Sequence, residues 1–174
     1  MDELFRLSLA VTAWLQAHYP QLLGVMAVFT SLGEELTYLT VLPAVYWAVD
    51  KRLGRQLGYI FLLSVAVNNT AKNLLRQPRP FWLDANVQRR EVDGYGLPSG
   101  HAQNATAVYL LVAAWLRRGW VWLLAFAGIF LISLSRIYLG VHFLQDVIGG
   151  IVLGLLVLIG FLFWQRVFAE RFGR

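Results

Sequence analysis

The chain has 174 residues, of which 58% are hydrophobic and only 14% charged, a mixture that suits a polytopic membrane protein and not a water-soluble globule. Its formal net charge of +5 is dispersed in short clusters between apolar runs, with no basic face of the kind that binds nucleic acid. There is no cysteine, which excludes a disulfide framework and a thiolate metal site.

In chain order, residues 4–18 read as an interfacial helix, and Pro20 separates them from a second short candidate at 20–32. Asp2 and Glu3 stand where a signal peptide requires positive charge, so this segment is expected to stay on the protein. Apolar segments follow at 36–50, 54–75, 99–116, 120–138 and 143–166, most of them near the roughly 20 residues a helix needs to cross a bilayer. Backbone groups in lipid must be satisfied internally, and the runs lack the alternation of barrel strands, so the segments are expected to be helices. The expected fold class is therefore all-α: a polytopic transmembrane helix bundle of five spans, or six if 20–32 also crosses, with an N-terminal interfacial helix. No repeat or linker divides the chain. It reads as a single domain, 1–174, with short helices in 1–32 and the main bundle in 34–168.

The connections suggest an orientation. Lys51, Arg52 and Arg55, then Arg117 and Arg118, then Arg166, Arg171 and Arg174 fall on one side if the five spans alternate, and by the positive-inside rule that side is the cytoplasm. The loops at about 77–98 and 137–142 then face outward. Pro78, Pro80 and Pro98 mark the longer one as a structured excursion.

Polar residues gather at span ends on this outward side. "KNLLRQPRP" carries Lys72 and Arg79, seven apart and on one face if helical geometry persists past the prolines. "PSGH" carries Ser99, Gly100 and His101, and "SRIYLGVHFLQD" carries Arg136, His142 and Asp146. Each group has an ordinary explanation: snorkelling cations, a helix N-cap, a buried structural ion pair. Their gathering at one membrane face favours function, because ionisable residues at membrane depth are functional candidates. Three cations and the start of a helix form an environment suited to a phosphate. A neutral His142 oriented by Asp146 could attack phosphorus, with His101 protonating the departing alkoxide and later activating water.

These three motifs resemble the signature of the type 2 phosphatidic acid phosphatase superfamily, which includes membrane lipid phosphate phosphatases and soluble vanadium-dependent haloperoxidases. Six residues separate Lys72 from Arg79, five separate Arg136 from His142, and three separate His142 from Asp146, as the family pattern requires. The resemblance implies His142 as the nucleophile that forms a phosphohistidine, Asp146 as its orienting partner and His101 as general acid. It implies that Lys72, Arg79, Ser99, Gly100 and Arg136 bind the phosphate, and that no metal or other cofactor takes part. The motifs cover 72–146, and the family's usual six spans are here five plus the short helices of 4–32.

The expected function is metal-independent dephosphorylation of a lipid phosphate or pyrophosphate at the outer face of a bacterial inner membrane. Undecaprenyl pyrophosphate and phosphatidylglycerol phosphate lead as substrates, with phosphatidic acid and sphingoid phosphates open. A zinc hydrolase using His101, His142 and Asp146 is disfavoured by the three nearby cations. A lipid-headgroup binding or transport protein without hydrolysis would need the cations but not the histidines. Glu34 and Glu35 read as interfacial carboxylates, and Asn68, Asn69, Gln103 and Asn104 as hydrogen-bonding partners between helices. Gly149, Gly150 and Gly154 would let the last helix pack closely against a neighbour.

Overall fold

A computed structural model describes residues 3–172, with side chains described through residue 167. Among the described residues all regular structure is helical. Helix α1 is Glu3–His18; a single 3₁₀ turn at Pro20–Leu22 leads into α2, Leu23–Ser31; α3 is Glu35–Ala48 and α4 is Lys51–Leu75. The long loop after α4 holds the short α5, Pro80–Leu83, and a 3₁₀ turn at Ala85–Val87. Then come α6, Gly100–Leu116, α7, Gly119–Tyr138, and α8, Leu144–Phe172.

The boundaries follow local chemistry. Asp50 caps α4 by accepting from the Leu53 N–H at 2.6 Å, satisfying a donor that the first turn leaves unpaired. The same helix ends at Arg76, which adopts the left-handed region (φ 48°), and Pro78 and Pro80 bar any continuation. Arg117 ends α6 in the same way, with φ 53°.

By length and composition, α7 and residues 144–167 of α8 are each apolar enough to cross a bilayer, and the segments 20–31 and 35–48, bent by 49° from each other, make a third if the pair counts as one broken span. Two or three such spans stand against the five expected. The difference lies in α4, which begins with Lys51, Arg52 and Arg55 and ends with Asn68, Asn69, Lys72 and Asn73, and in α6, which is 17 residues long. Residues 20–32, left open by the sequence, form the first arm of the bent pair.

At the centre lies α6, packed on α4, α7 and α8. Small residues allow this. A Cβ on Gly150 would stand 2.5 Å from the Ser99 carbonyl oxygen, and one on Gly154 2.6 Å from that of Gln103, so α8 lies directly against the α6 backbone as its glycines suggest. The expected hydrogen bonds between helices are present at the α4–α6 contact. Asn68 Nδ2 donates to Gln103 Oε1 at 2.7 Å, Gln103 Nε2 donates to the Ser64 carbonyl at 2.9 Å, and Ser64 Oγ donates to Asn104 Oδ1 at 2.7 Å. Asn69 differs: it is exposed and takes no part in this network.

Helix α1 turns its polar stripe inward. Ser8, Thr12 and Gln16, spaced by four residues, are buried, while Leu4, Leu7 and Trp14 are exposed. Thr12 Oγ1 donates to the Ile137 carbonyl (3.2 Å), and Gln16 Nε2 donates to those of Val87 (2.8 Å) and Tyr138 (2.7 Å). Ser8 Oγ accepts from the Leu144 N–H at 3.3 Å and donates to Gln145 Oε1 at 3.1 Å. The helix thus braces the corner between α7 and α8. The corner itself needs Gly140, whose φ is +68° and whose Cβ would fall 2.0 Å from the Val87 oxygen.

Candidate active site

The three motif segments meet at one end of the bundle. Lys72 lies in the last turn of α4, Arg79 in the following loop, Ser99 and His101 at the start of α6, Arg136 in the last turn of α7, and His142 and Asp146 at the α7–α8 corner. Lys72, Arg79, Gly100, His101, Arg136 and His142 all line a cavity of about 500 Å³. Ser99 and Asp146 stand behind its wall.

Lys72 and Arg79 do not share a helix face, because α4 stops at Leu75. They converge because the loop between α4 and α6 folds back on both. Lys72 Nζ donates to the Tyr95 carbonyl at 2.8 Å, so it is held by the protein and does not snorkel to headgroups. Arg79 is buried: Nε donates to the Gly94 carbonyl (2.7 Å), Nη2 to that of Asp93 (2.8 Å) and Nη1 to that of Val141 (2.9 Å). Burial lowers the pKa of the Arg79 guanidinium, and Asp146 and Asp93 oppose that shift. The loop approaches so closely that a Cβ on Gly96 would lie 2.5 Å from the Pro78 oxygen and 3.0 Å from Asp146 Oδ2.

His142 is 2% exposed, and its Nδ1 lies 3.3 Å from Asp146 Oδ2. The same oxygen accepts from the Phe143 N–H at 2.9 Å, which fixes the carboxylate. On the other side of the ring, Arg79 Nη1, which can only donate, stands 3.4 Å from Nε2. These neighbours assign the hydrogen to Nδ1 and leave a lone pair on Nε2. Burial first, then the cations Arg136, Arg79 and Lys72, lowers the His142 pKa well below the ordinary 6.5, so the ring is neutral at neutral pH.

Several polar atoms here have no partner. His101 Nε2, Ser99 Oγ and Arg136 Nε are buried and make no hydrogen bond. Ser99 is the residue before α6, yet its side chain caps nothing, so the capping explanation fails for it. Buried polar groups are nearly always satisfied, and here His101 and Arg136, which line the cavity, and Ser99 beside it keep open hydrogen-bonding atoms. His101, His142 and Asp146 do not gather as a metal-ligand set: among the described residues no cluster of three histidine or acidic side chains has that arrangement.

The sequence profile of the PAP2 superfamily matches residues 53–170. The chain belongs to this superfamily. Mouse sphingosine-1-phosphate phosphatase 2 is 36% identical over 130 residues, covering 71% of this chain and 37% of the mouse protein. The undecaprenyl-diphosphatase of Sulfolobus acidocaldarius is 30% identical over 136 residues, 75% of this chain and 65% of that protein. The chain thus spans little more than a third of the length of its sphingosine-1-phosphate phosphatase relatives. A crystal structure of a transmembrane PAP2-type phosphatidylglycerolphosphate phosphatase from Bacillus subtilis superposes with a TM-score of 0.82 at 25% identity, covering 99% of this chain and 89% of that one.

Beyond its motifs, this PAP2 protein places other residues at the site. Thr30, fully buried in α2, accepts from Arg136 Nη1 at 2.5 Å. A threonine inside an apolar run gives no sequence signal of that role. Gly33, at the α2–α3 elbow, touches His101: a Cβ there would stand 2.9 Å from the ring's Cδ2. Of the two carboxylates read as interfacial, Glu34 pairs with Arg90 of the α4–α6 loop and Glu35 lines the cavity.

Proposed function

We propose that this protein is an integral-membrane lipid phosphatase that works without a metal through a phosphohistidine. The single observation that carries the reading is His142: neutral, fixed through Nδ1 by Asp146, with its Nε2 lone pair in a cavity lined by Lys72, Arg79 and Arg136.

The phosphate of the substrate occupies the cationic cavity, where Lys72, Arg79, Arg136, Ser99 and the α6 N-terminus at Gly100 hold its oxygens. His142 Nε2 attacks phosphorus, and the bond to the lipid oxygen breaks as His101 gives that oxygen a proton. Carriers already held by backbone carbonyls need not reorganise as charge spreads over the equatorial oxygens. His101 then takes a proton from water, which attacks the phosphohistidine and releases inorganic phosphate. Asp146 stabilises the charge that the imidazole gains on phosphorylation.

The chain acts as one catalytic domain. Its α3, α4, α6, α7 and α8 are the five spans, its arginine-rich connections face the cytoplasm, and the cavity opens on the outer face of a bacterial-type inner membrane. The substrate class is a lipid phosphate or diphosphate. The names of the relatives support that class, and undecaprenyl pyrophosphate, phosphatidylglycerol phosphate, phosphatidic acid and sphingoid phosphates are its members to compare.

The test is phosphate release by the detergent-purified protein from each of these lipids, with and without EDTA, beside His142→Ala. Release that survives the chelator and is lost in a folded His142→Ala protein is the expected result. Release abolished by EDTA, or wild-type turnover by His142→Ala, overturns the mechanism. Binding without release from any of these lipids turns the reading to a headgroup-binding protein.

A further inference from the structure

A second cavity lies beside the first and is almost wholly apolar. It is a groove of about 470 Å³ whose walls are α3 and α7 and whose floor is α6. It exists because α2 and α3 part company. α2 packs on α7, the chain turns through 49° between Ser31 and Glu35, and α3 then packs on α4. The wedge left between α3 and α7 is lined by Val41, Val45, Val108, Val112, Leu124 and Ala125.

The groove and the cationic cavity lie side by side at the α2–α3 elbow. Leu32 and Thr37 line the groove, whereas Gly33 and Glu35, between them in the chain, line the cavity, and Gly33 lies against His101. Only glycine fits there, since any Cβ would press on His101 and Ile132, both at 2.9 Å. Two other apolar grooves, at the α3–α4 and α4–α8 faces, reach neither Leu32 nor Gly33. From the groove's mouth its lining continues along α6 to Leu116 and along α7 to Trp120, at the end of the bundle away from the histidines. Along α6 the distance from His101 to Leu116 is about 22 Å, more than half of a ~30 Å hydrocarbon core.

We infer that this α3–α7 groove holds one long hydrocarbon chain of the lipid phosphate, entering past the Gly33 elbow and ending against Trp120. The inference rests on the lipid phosphatase reading and adds a chain-length ruler to it. Taking a methylene as about the size of a water molecule, ~30 Å³, the groove accommodates one chain of about sixteen carbons. A second chain, or the remainder of a longer one, stays in the bilayer. The neighbouring cationic cavity identifies the occupant: the two linings adjoin at Leu32 and Gly33, and an apolar chain joined to a phosphate would fill both spaces, as a loose lipid or a helix of another protein does not.

The test compares kcat/KM for single-chain lysophosphatidic acids of eight, twelve, sixteen and twenty carbons in one detergent, with p-nitrophenyl phosphate as a chain-free control. Ala125→Trp, which fills the groove, is expected to cost the sixteen-carbon substrate about tenfold while sparing p-nitrophenyl phosphate. Trp120→Ala, an exposed position, is expected to move the optimum to longer chains. An Ala125→Trp protein that keeps the wild-type chain-length profile overturns the inference. If Ala125→Trp loses both substrates, an unchanged profile in Trp120→Ala overturns it instead. Should the wild type release no phosphate at all, the functional reading fails separately. The groove is then read by quenching with a brominated sixteen-carbon lysophosphatidic acid, where a Trp120→Phe protein quenched as strongly as the wild type counts against it. A dimer that dissociates on Ala125→Trp substitution would give the groove to a second copy of the chain and overturn the proposal.

Discussion

Replacing Asp146 by Asn removes a charge and almost nothing else. The side chain is buried, and its Oδ2 accepts from both His142 Nδ1 and the Phe143 N–H. The Phe143 N–H needs an oxygen acceptor, so the amide oxygen takes the place of Oδ2 and the histidine keeps its tautomer. In the ground state His142 is neutral and little is lost. In the proposed mechanism the ring becomes cationic when Nε2 bonds to phosphorus, and the missing carboxylate then matters. At the 3.3 Å separation and an effective dielectric of about 20, the Coulomb attraction is about 5 kcal/mol. Asp146→Asn is therefore expected to lower the rate of phosphoenzyme formation by between three and four orders of magnitude with KM nearly unchanged. Single-turnover phosphate release, with thermal melting to verify folding, measures both. A folded Asp146→Asn protein within tenfold of the wild-type rate would refute the reasoning, because it would mean that no positive charge develops on His142.

Thr30→Val leaves Arg136 Nη1 without its acceptor, and the buried donor costs about 1–3 kcal/mol; a lower melting temperature and a raised KM for phosphate substrates are expected, and an unchanged melt and KM would count against this contact. The neutral His142 gives the pH profile its sign: its pKa lies below 6.5, so kcat/KM falls on the acid side only below that pH. Arg79→Gln removes one of the cations that hold the pKa down and moves that acid limb to higher pH; a limb that stays in place or moves lower contradicts the assignment. Gly140→Ala forces a Cβ into the Val87 oxygen at a positive φ, and a loss of at least about 1–3 kcal/mol should appear as a lower melting temperature. Glu34→Gln breaks a half-exposed ion pair with Arg90 and is expected to change stability by less than about 1 kcal/mol.

The site was more legible than the elements that bear it. The identities and spacings of Lys72, Arg79, His101, Arg136, His142 and Asp146 are local in the chain, and the helix boundaries fell within a few residues because Asp50, Pro78, Pro80 and Pro98 punctuate the apolar runs. What brings Lys72 and Arg79 together was hidden. It is the carbonyls of the α4–α6 loop, at Asp93, Gly94 and Tyr95, and backbone acceptors leave no mark on residue identity. Thr30 and the inward stripe of Ser8, Thr12 and Gln16 were hidden for a related reason. In lipid the apolar face of a helix turns outward, so a stripe that looks interfacial can be the buried one. The bent α2–α3 pair was unreadable because a 49° turn needs only a short break, and Gly33 looks like any other turn residue until His101 is set against it.

Satisfied and unsatisfied donors are unevenly distributed around the cavity. Arg79 spends donors on four acceptors, and Lys72 is tied to the loop, so neither side chain is free to swing. Arg136 has Thr30 on Nη1 but nothing on Nε, and Ser99 Oγ and His101 Nε2 are likewise open. In the proposed site the donors therefore differ in how far they are fixed: Lys72 and Arg79 are anchored mainly by backbone carbonyls, which sets where their charges sit, while Arg136 Nε, Ser99 Oγ and His101 Nε2 have no protein partner. Leaving buried donors unpaired costs roughly 1–3 kcal/mol each, and that cost is met once, in folding. On the proposed reading a tetrahedral anion would meet these open donors without any of them having to break an existing bond. The same division explains why the loop and α1 are built so firmly around the α7–α8 corner: loosening either would let Arg79 or His142 move, and the vacant donors would lose the geometry that makes them useful.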